Sequence, residues 1–338
     1  MTDPAAGTLR AVLIGTSTQI DPSLGSIPQV ANNLIGLARA LSAPGGLVPA
    51  GAVEVLQDPL SPPDVFRVIA RQPKDGTLLC YFSGHGLRAE DRLCLALPGS
   101  IDRQPDQRST SLPVEALLEQ LGQGGRRRVI LILDCCFAGL AFREPAASDM
   151  HLLVAVGKTE KARYTGAHHT VFTEALLKAL NDGVADGTRY VDLDALYRRI
   201  LLTIMEDPEN IGKYPHQRTV DDTAWFRIAP NRAYEAVLTP AGLVARADFA
   251  AQVGFGEDPE RAARLSADLV RDAYRSSLIE AADLFRCRQD VASWAGRGGD
   301  VESAVRQLET MLAEDPAGVR PADLDLAAQS LKFWRGRV

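Results

Sequence analysis

Apolar positions along the first 230 residues alternate between two rhythms. Short, nearly continuous apolar runs occur at Leu9 to Gly15, Val53 to Leu56, Thr77 to Phe82, Leu93 to Leu97, Val129 to Leu133, Leu152 to Val156 and Ala224 to Ile228. They are too short for buried helices, and turn residues bound most of them, so they predict strands, several covered on both faces. Between them the spacing lengthens to three and four, as in Val30, Leu34, Leu37 and Leu41, or Leu117, Leu118 and Leu121. That spacing predicts helices, and two more are predicted over Phe172 to Leu180 and Leu193 to Met205. Ser61-Pro62-Pro63-Asp64 marks a helix start, with a capping serine and a proline at the first turn. Strand and helix in alternation predict an α/β fold, a doubly wound, mostly parallel sheet with helices on both faces. Ser100 to Arg108, polar and without an apolar anchor, is expected to be a mobile loop.

Beyond position 230 the strand signal stops and the pattern is helical to the end. We read 1–230 as one α/β domain, 231–282 as a helical linker and 283–338 as a helical repeat. The repeat rests on Leu284 to Trp294-Ala295-Gly296-Arg297 matching Leu324 to Trp334-Arg335-Gly336-Arg337 at an offset of 40. Its spacing resembles a tetratricopeptide-type helix pair, an architecture that stacks repeats to bury their faces, so the chain is expected to be a trimmed piece of a longer one.

Composition narrows the function. Lys+Arg 37 against Asp+Glu 43 gives a net charge of -6, and there is no basic stripe, so no nucleic-acid partner is expected. No apolar run is long enough for a membrane span and the start lacks a signal-peptide pattern, which predicts a cytoplasmic protein without a membrane partner. Five cysteines, Cys80, Cys94, Cys135, Cys136 and Cys287, form no secreted disulfide framework. Cys80, Cys94 and Cys287 read as small core residues. His151, His168, His169 and His216 read as solvated or locally bonded. A zinc site from Cys135, Cys136 and a histidine lacks any Cys-x-x-Cys or His-x-x-x-His support, and no phosphate loop or serine-hydrolase elbow occurs.

Two strand ends carry the candidate chemistry. Thr77 to Phe82 runs into Ser83-Gly84-His85-Gly86, and Val129 to Leu133 runs into Asp134-Cys135-Cys136-Phe137-Ala138-Gly139. In an open α/β sheet the crevice beyond the carboxyl ends of the strands collects ligands and chemistry. An imidazole near a thiol generates the thiolate, and backbone N–H groups hold the oxyanion of an attacked carbonyl. His85 and Cys136 fit that pairing, and the flanking glycines let the backbone approach a substrate.

Phe82-Ser83-Gly84-His85-Gly86 and Asp134-Cys135-Cys136-Phe137-Ala138-Gly139, with the Ile14-Gly15 strand end and Ala31-Asn32-Asn33, resemble the paired signature of the caspase and metacaspase clan, most of all the bacterial caspase-like proteases. The resemblance implies a cysteine endopeptidase over roughly residues 8 to 230, acting on a protein or peptide substrate with no cofactor and no metal in the chemistry. It implies Cys136 as nucleophile, His85 as general base and acid, and the backbone N–H groups of Gly86 and Cys136 as the oxyanion hole. Cys135 takes the place of the family's serine and is expected to pack in the core, since successive strand side chains point to opposite faces. Asp134 and Ser83 would line the specificity pocket. The carboxylate two positions before the nucleophile favours a basic residue before the scissile bond. Asn33 stands where metacaspases carry a second acidic pocket residue, which leaves open both arginine against lysine and the preference for a charged side chain at all. The resemblance further implies a regulated stress, cell-death or antiviral effector with a partner docking on the C-terminal helices. The competing reading is a catalytically silent scaffold of the same fold. Arg126-Arg127-Arg128 reads as a solvated strand entry or a processing site.

Overall fold

The computed structural model describes residues 9–43, 46–49, 51–123, 128–157, 168–184, 188–220, 223–234, 238–256, 258–314 and 318–338. Arg126 and Arg127 lie outside the described residues. The chain divides into one unit made of 1–183 with 190–232 and another made of 184–189 with 233–338.

In the first unit the strand and helix rhythm becomes β1 (Leu9–Gly15), α1 (Gln29–Leu41), β2 (Val53–Gln57), α2 (Pro62–Ala70) and β3 (Thr77–Ser83). A hairpin of β4 (Gly86–Ala89) and β5 (Arg92–Leu95) follows, then α3 (Asp106–Thr110), β6 (Leu112–Pro113) and α4 (Val114–Gly122). Next come β7 (Arg128–Asp134), β8 (His151–Val154), α5 (Val171–Asp182), β9 (Tyr190–Asp192), α6 (Leu193–Met205), β10 (His216–Arg218) and β11 (Arg227–Pro230). The main sheet has the order β10-β8-β7-β3-β1-β2. All neighbours in it pair in parallel except β10 on β8, which is antiparallel and occupies the edge.

Alternation along the central strands sorts their side chains onto two faces. Val12, Ile14, Leu78, Cys80, Phe82, Val129, Leu131 and Leu133 form one core with Val65 and Ile69 of α2 and Leu117, Leu118 and Leu121 of α4. The intervening residues, among them Leu13, Leu79, Tyr81, Ile130 and Ile132, are equally buried. The α/β class, the mostly parallel sheet and its flanking helices are therefore as the pattern predicted. The details differ at the margins. Ala224 to Ile228 does not join the main sheet: β11 starts at Arg227 and pairs with β9 in a separate two-stranded sheet.

Ser100 to Arg108 is anchored, contrary to expectation, and by polar rather than apolar contacts. The Ser100 hydroxyl, fully buried, accepts from Leu97 N at 2.8 Å and donates to the Thr110 carbonyl at 3.0 Å, while Gln107 donates to Asp102 at 2.5 Å. Buried hydrogen bonds to backbone hold a segment that hydrophobic patterning alone leaves unassigned.

Chain order within the sheet locates the crevice. From β1 the chain moves outward to β2, then returns past β1 to β3, β7 and β8. The direction reverses between β1 and β3, and the carboxyl ends of these strands form the switch point where a doubly wound sheet opens.

The second unit holds α7 (Pro240–Phe255), α8 (Pro259–Arg275), α9 (Ala281–Arg297), α10 (Val301–Ala313) and α11 (Pro321–Arg335). A Cβ on Gly254 of α7 would stand 2.4 Å from the Trp294 ring, and one on Gly296 of α9 would stand 2.7 Å from the Trp334 ring. Each tryptophan thus lies flush on a glycine of the preceding odd-numbered helix, a contact only glycine permits. After each glycine comes an N-capping aspartate: Asp258 accepts from Arg261 N at 3.0 Å and Asp300 from Ser303 N at 3.1 Å. Gly254, Gly256 and Asp258 therefore repeat as Gly296, Gly298 and Asp300. This register is invisible to a search keyed on tryptophan, because α7 has none. Among the described residues no helix is long and apolar enough to cross a membrane.

Candidate active site

Both motifs sit at the switch-point rim because β3 and β7 are adjacent, with Ser83 in register with Asp134. The loops that follow lie in direct contact. A Cβ built on Gly86 would fall 2.0 Å from the Cys136 carbonyl oxygen and 3.2 Å from the Cys135 Sγ. No side chain fits there, so glycine at 86 lets the backbone after His85 rest on that of Cys136. Gly84, at φ +153, supplies a conformation rarely open to other residues and donates its N–H to the Asp134 carbonyl at 3.3 Å.

His85 is half-buried, and its Nε2 lies 2.9 Å from the Gly25 carbonyl oxygen in the loop after β1. A carbonyl only accepts, so this bond assigns the proton to Nε2 and makes Nδ1 the basic nitrogen. Burial holds the imidazole pKa below 6.5, offset in part by hydrogen bonds to the Gly25 and Leu24 backbone and by the Asp102 charge. Gly25 carries no side chain that a sequence pattern would single out. Its only signal is its place in a Pro- and Gly-containing loop at the end of β1, on the far side of the switch point.

Cys136 is 7% exposed and packs on Val156 and Phe137. Phe137, at φ +58, turns the chain sharply after it. Cys135 is fully buried in the α2/α4 core, with its thiol pKa pushed well above the ordinary value by burial, then by Cys136 and Asp134. Only one of the two thiols reaches the rim, because the chain alternates faces.

Asp134, also fully buried, belongs to the opposite face. Its Oδ2 accepts from the Thr170 hydroxyl and, at 2.6 Å, from the Thr173 hydroxyl, while the Tyr81 hydroxyl lies 3.4 Å away. Its Oδ1 has no hydrogen-bond partner. Burial raises the carboxyl pKa, against the lowering effect of the Thr170, Thr173, Tyr81 and Ser83 hydroxyls.

Asn33 and Ser83 complete this cluster. Asn33 Nδ2 donates to Ser83 Oγ at 3.0 Å and to Thr170 Oγ1 at 2.9 Å, and its Oδ1 faces Thr170 N and His169 Nδ1, each at 3.2 Å. The amide is fully buried with its donors and acceptor engaged. It reaches the carboxylate indirectly, through the Thr170 and Ser83 hydroxyls. Asn33, Ser83 and Asp134 are thus brought together, with Tyr81, Thr170 and Thr173 between them. Tyr81 had a readable signal, since it shares a strand face with Ser83 two positions on. Thr170 and Thr173 had none beyond a helix start. His151 stands apart: fully buried, with Nδ1 3.2 Å from Thr223 Oγ1. His168 and His216 are exposed. Among the described residues no group of three or more His, Cys, Asp or Glu side chains is arranged to hold a metal ion.

Among solved structures, the chain is similar to the crystal structure of caspase-1 from Spodoptera frugiperda, at 12% sequence identity and a TM-score of 0.49 over 68% of this chain and 93% of that one. No family model and no curated protein matches the chain.

Proposed function

We propose that this chain is a caspase-like cysteine endopeptidase that works by a Cys136–His85 dyad. The observation that carries the reading is the packing of the His85 loop on the Cys136 backbone at the sheet's switch point, with the imidazole held by Gly25. In the reaction, Nδ1 of His85 takes the proton from the Cys136 thiol while Nε2–H stays on the Gly25 carbonyl. The thiolate attacks the peptide carbonyl, and the N–H groups of Gly86 and Cys136 receive the oxyanion. The imidazolium then protonates the leaving amine, leaving an acyl-enzyme on Cys136. Water, deprotonated by His85, hydrolyses it and restores the thiol.

Asp134 is the selector. Its unpartnered Oδ1 offers a buried acceptor beside the nucleophile, suited to a lysyl or arginyl side chain before the scissile bond. Ser83 and Asn33 act on the pocket by positioning, through Thr170 and the Asp134 carboxylate. The helical unit, read as a tetratricopeptide-like array, docks a protein partner, and the whole serves as a regulated bacterial stress, cell-death or antiviral effector in the cytoplasm.

The test is covalent labelling with an arginyl or lysyl peptide chloromethyl ketone, mapped by mass spectrometry. Labelling is expected on Cys136, to be lost in Cys136→Ala and reduced at least a hundredfold in His85→Ala. Absence of label under all conditions, with candidate partners included, would leave a silent scaffold.

A further inference from the structure

His85 is held from two sides. Its backbone carbonyl accepts from Ala96 N at 2.9 Å, just past β5, and its Nε2 donates to the Gly25 carbonyl at 2.9 Å, in the loop after β1. These holders belong to segments far apart in the chain, so the ring keeps its place only while the two segments keep theirs. Several contacts join them. The Leu24 side chain packs against the cluster of Leu87, Ala89, Cys94 and Ala96, and Ile20 N donates to the Pro98 carbonyl at 2.9 Å. A further tie is made by a charged side chain: Asp21 Oδ2 accepts from Asp102 N at 3.0 Å.

The same carboxylate shapes the turn that leads to Gly25. Asp21 Oδ1 accepts from Ser23 N at 2.9 Å and from the Ser23 hydroxyl at 2.8 Å, while the Asp21 carbonyl accepts from Leu24 N at 3.1 Å. Gly25 follows at φ +67, a conformation glycine enters and leaves without steric cost, so the aim of its carbonyl depends on the turn before it. The bonds from Ser23, and after them the one from Asp102, hold the Asp21 carboxyl below the usual carboxylate range, and the acceptor stays ionised at neutral pH. Asp102 in turn is one of the groups that raise the imidazole pKa against burial. One carboxylate thus fixes a hydrogen-bond acceptor and a charge with respect to the same ring.

We infer that Asp21 is a positioning residue for His85: it ties the turn bearing the Gly25 carbonyl to the segment bearing Asp102, and so keeps Nε2–H on Gly25, the arrangement that makes Nδ1 the base. The inference rests on the reading of His85 as the base of the dyad, and it adds what holds the ring in that role. The Ile20 backbone bond and the Leu24 packing do not use the Asp21 carboxylate. Its removal therefore loosens the turn without unmaking the loop.

The ring is read directly by nitrogen-15 NMR of labelled histidine in Cys136→Ala, where the thiol plays no part. Solvent exchange of the His85 Nε2–H is expected to be at least tenfold faster in Asp21→Ala than with Asp21 intact, while the signals of His151, buried on β8, stay in place. Asp21→Asn keeps an acceptor for the Ser23 N–H and loses the second one for Asp102, so its rate should fall between the two. Exchange at the Asp21 rate in both variants overturns the inference. Should Asp21→Ala also shift His151, Asp21→Asn decides alone on the same criterion. In parallel, with Cys136 present, labelling by an arginyl chloromethyl ketone should slow at least fivefold in Asp21→Ala. Faster exchange together with a Cys136 inert to the ketone even when Asp21 is intact would support the positioning role and sink the dyad. Rapid ketone labelling, with neither rate changed by either substitution, would do the reverse.

Discussion

At the residue scale, Gly86 makes the sharpest prediction because its neighbour is backbone and cannot swing aside. A methyl group at 86 would meet the Cys136 carbonyl at 2.0 Å, so Gly86→Ala has to separate the two loops. Overpacking of this kind costs about 1–3 kcal/mol. We expect a drop of that size in urea denaturation and at least a tenfold slower alkylation of Cys136. Wild-type values for both would show that the loops do not depend on this contact. The pH dependence of alkylation follows from His85. Burial holds its pKa below 6.5, so the imidazole remains a base at pH values where an exposed one is protonated, and the acidic limb of the alkylation rate should lie below 6.5. His151 titrates with the opposite interest. Its pKa is lowered to about 4 by burial, so the folded state resists a proton that the unfolded chain takes up near 6.5. Stability from the neutral ring is therefore intact above 6.5 and is lost progressively as pH falls from 6.5 to about 4, by roughly 3 kcal/mol. Urea midpoints for wild type and His151→Gln across that window should converge as pH falls. Parallel curves would assign the loss elsewhere.

At the element scale, the strands and helices whose faces carry apolar side chains were legible, and those held by polar contacts were not. The predicted helix Leu193 to Met205 coincides with α6, since Leu193, Leu196, Ile200 and Ile204 recur at helical spacing and Asp192 caps it, accepting from Ala195 N at 2.8 Å. β4 leaves no pattern in the sequence because Gly86–Ala89 is too short to show alternation, and its pairing with β5 is what defines it. In the helical unit the offset of 40 pointed to Trp294 and Trp334, but the partner of each is a glycine 40 or 38 positions upstream. A glycine inside a helix normally reads as a weakness. Here it makes room for an indole. Trp294→Ala is expected to destabilise this unit by about 3 kcal/mol, as truncation of a buried aromatic does, read from thermal loss of helicity. A change below ~1 kcal/mol would mean that the α7–α9 contact contributes little.

For the whole molecule, the division into units predicts that residues 233–338 form a cooperative helical body when produced alone, since Phe285, Leu308, Leu331 and Trp334 share a core with one another, and Leu238, Leu243 and Leu269 share another. Circular dichroism with a single reversible thermal transition is the expected result, and a non-helical fragment would contradict it. The sequence by itself determined the class of fold and the rim position of both motifs, because burial on two faces and abrupt strand ends leave a local trace in hydrophobicity and glycine. It did not reveal the Gly25 carbonyl on His85 or the Thr170 and Thr173 hydroxyls on Asp134. Those contacts join segments far apart in the chain, and a carbonyl or a hydroxyl looks the same in sequence whether it faces water or a buried partner. The return of the chain from β2 past β1 to β3 is what brings the loop after β1 against the imidazole, and only the tertiary structure decided it.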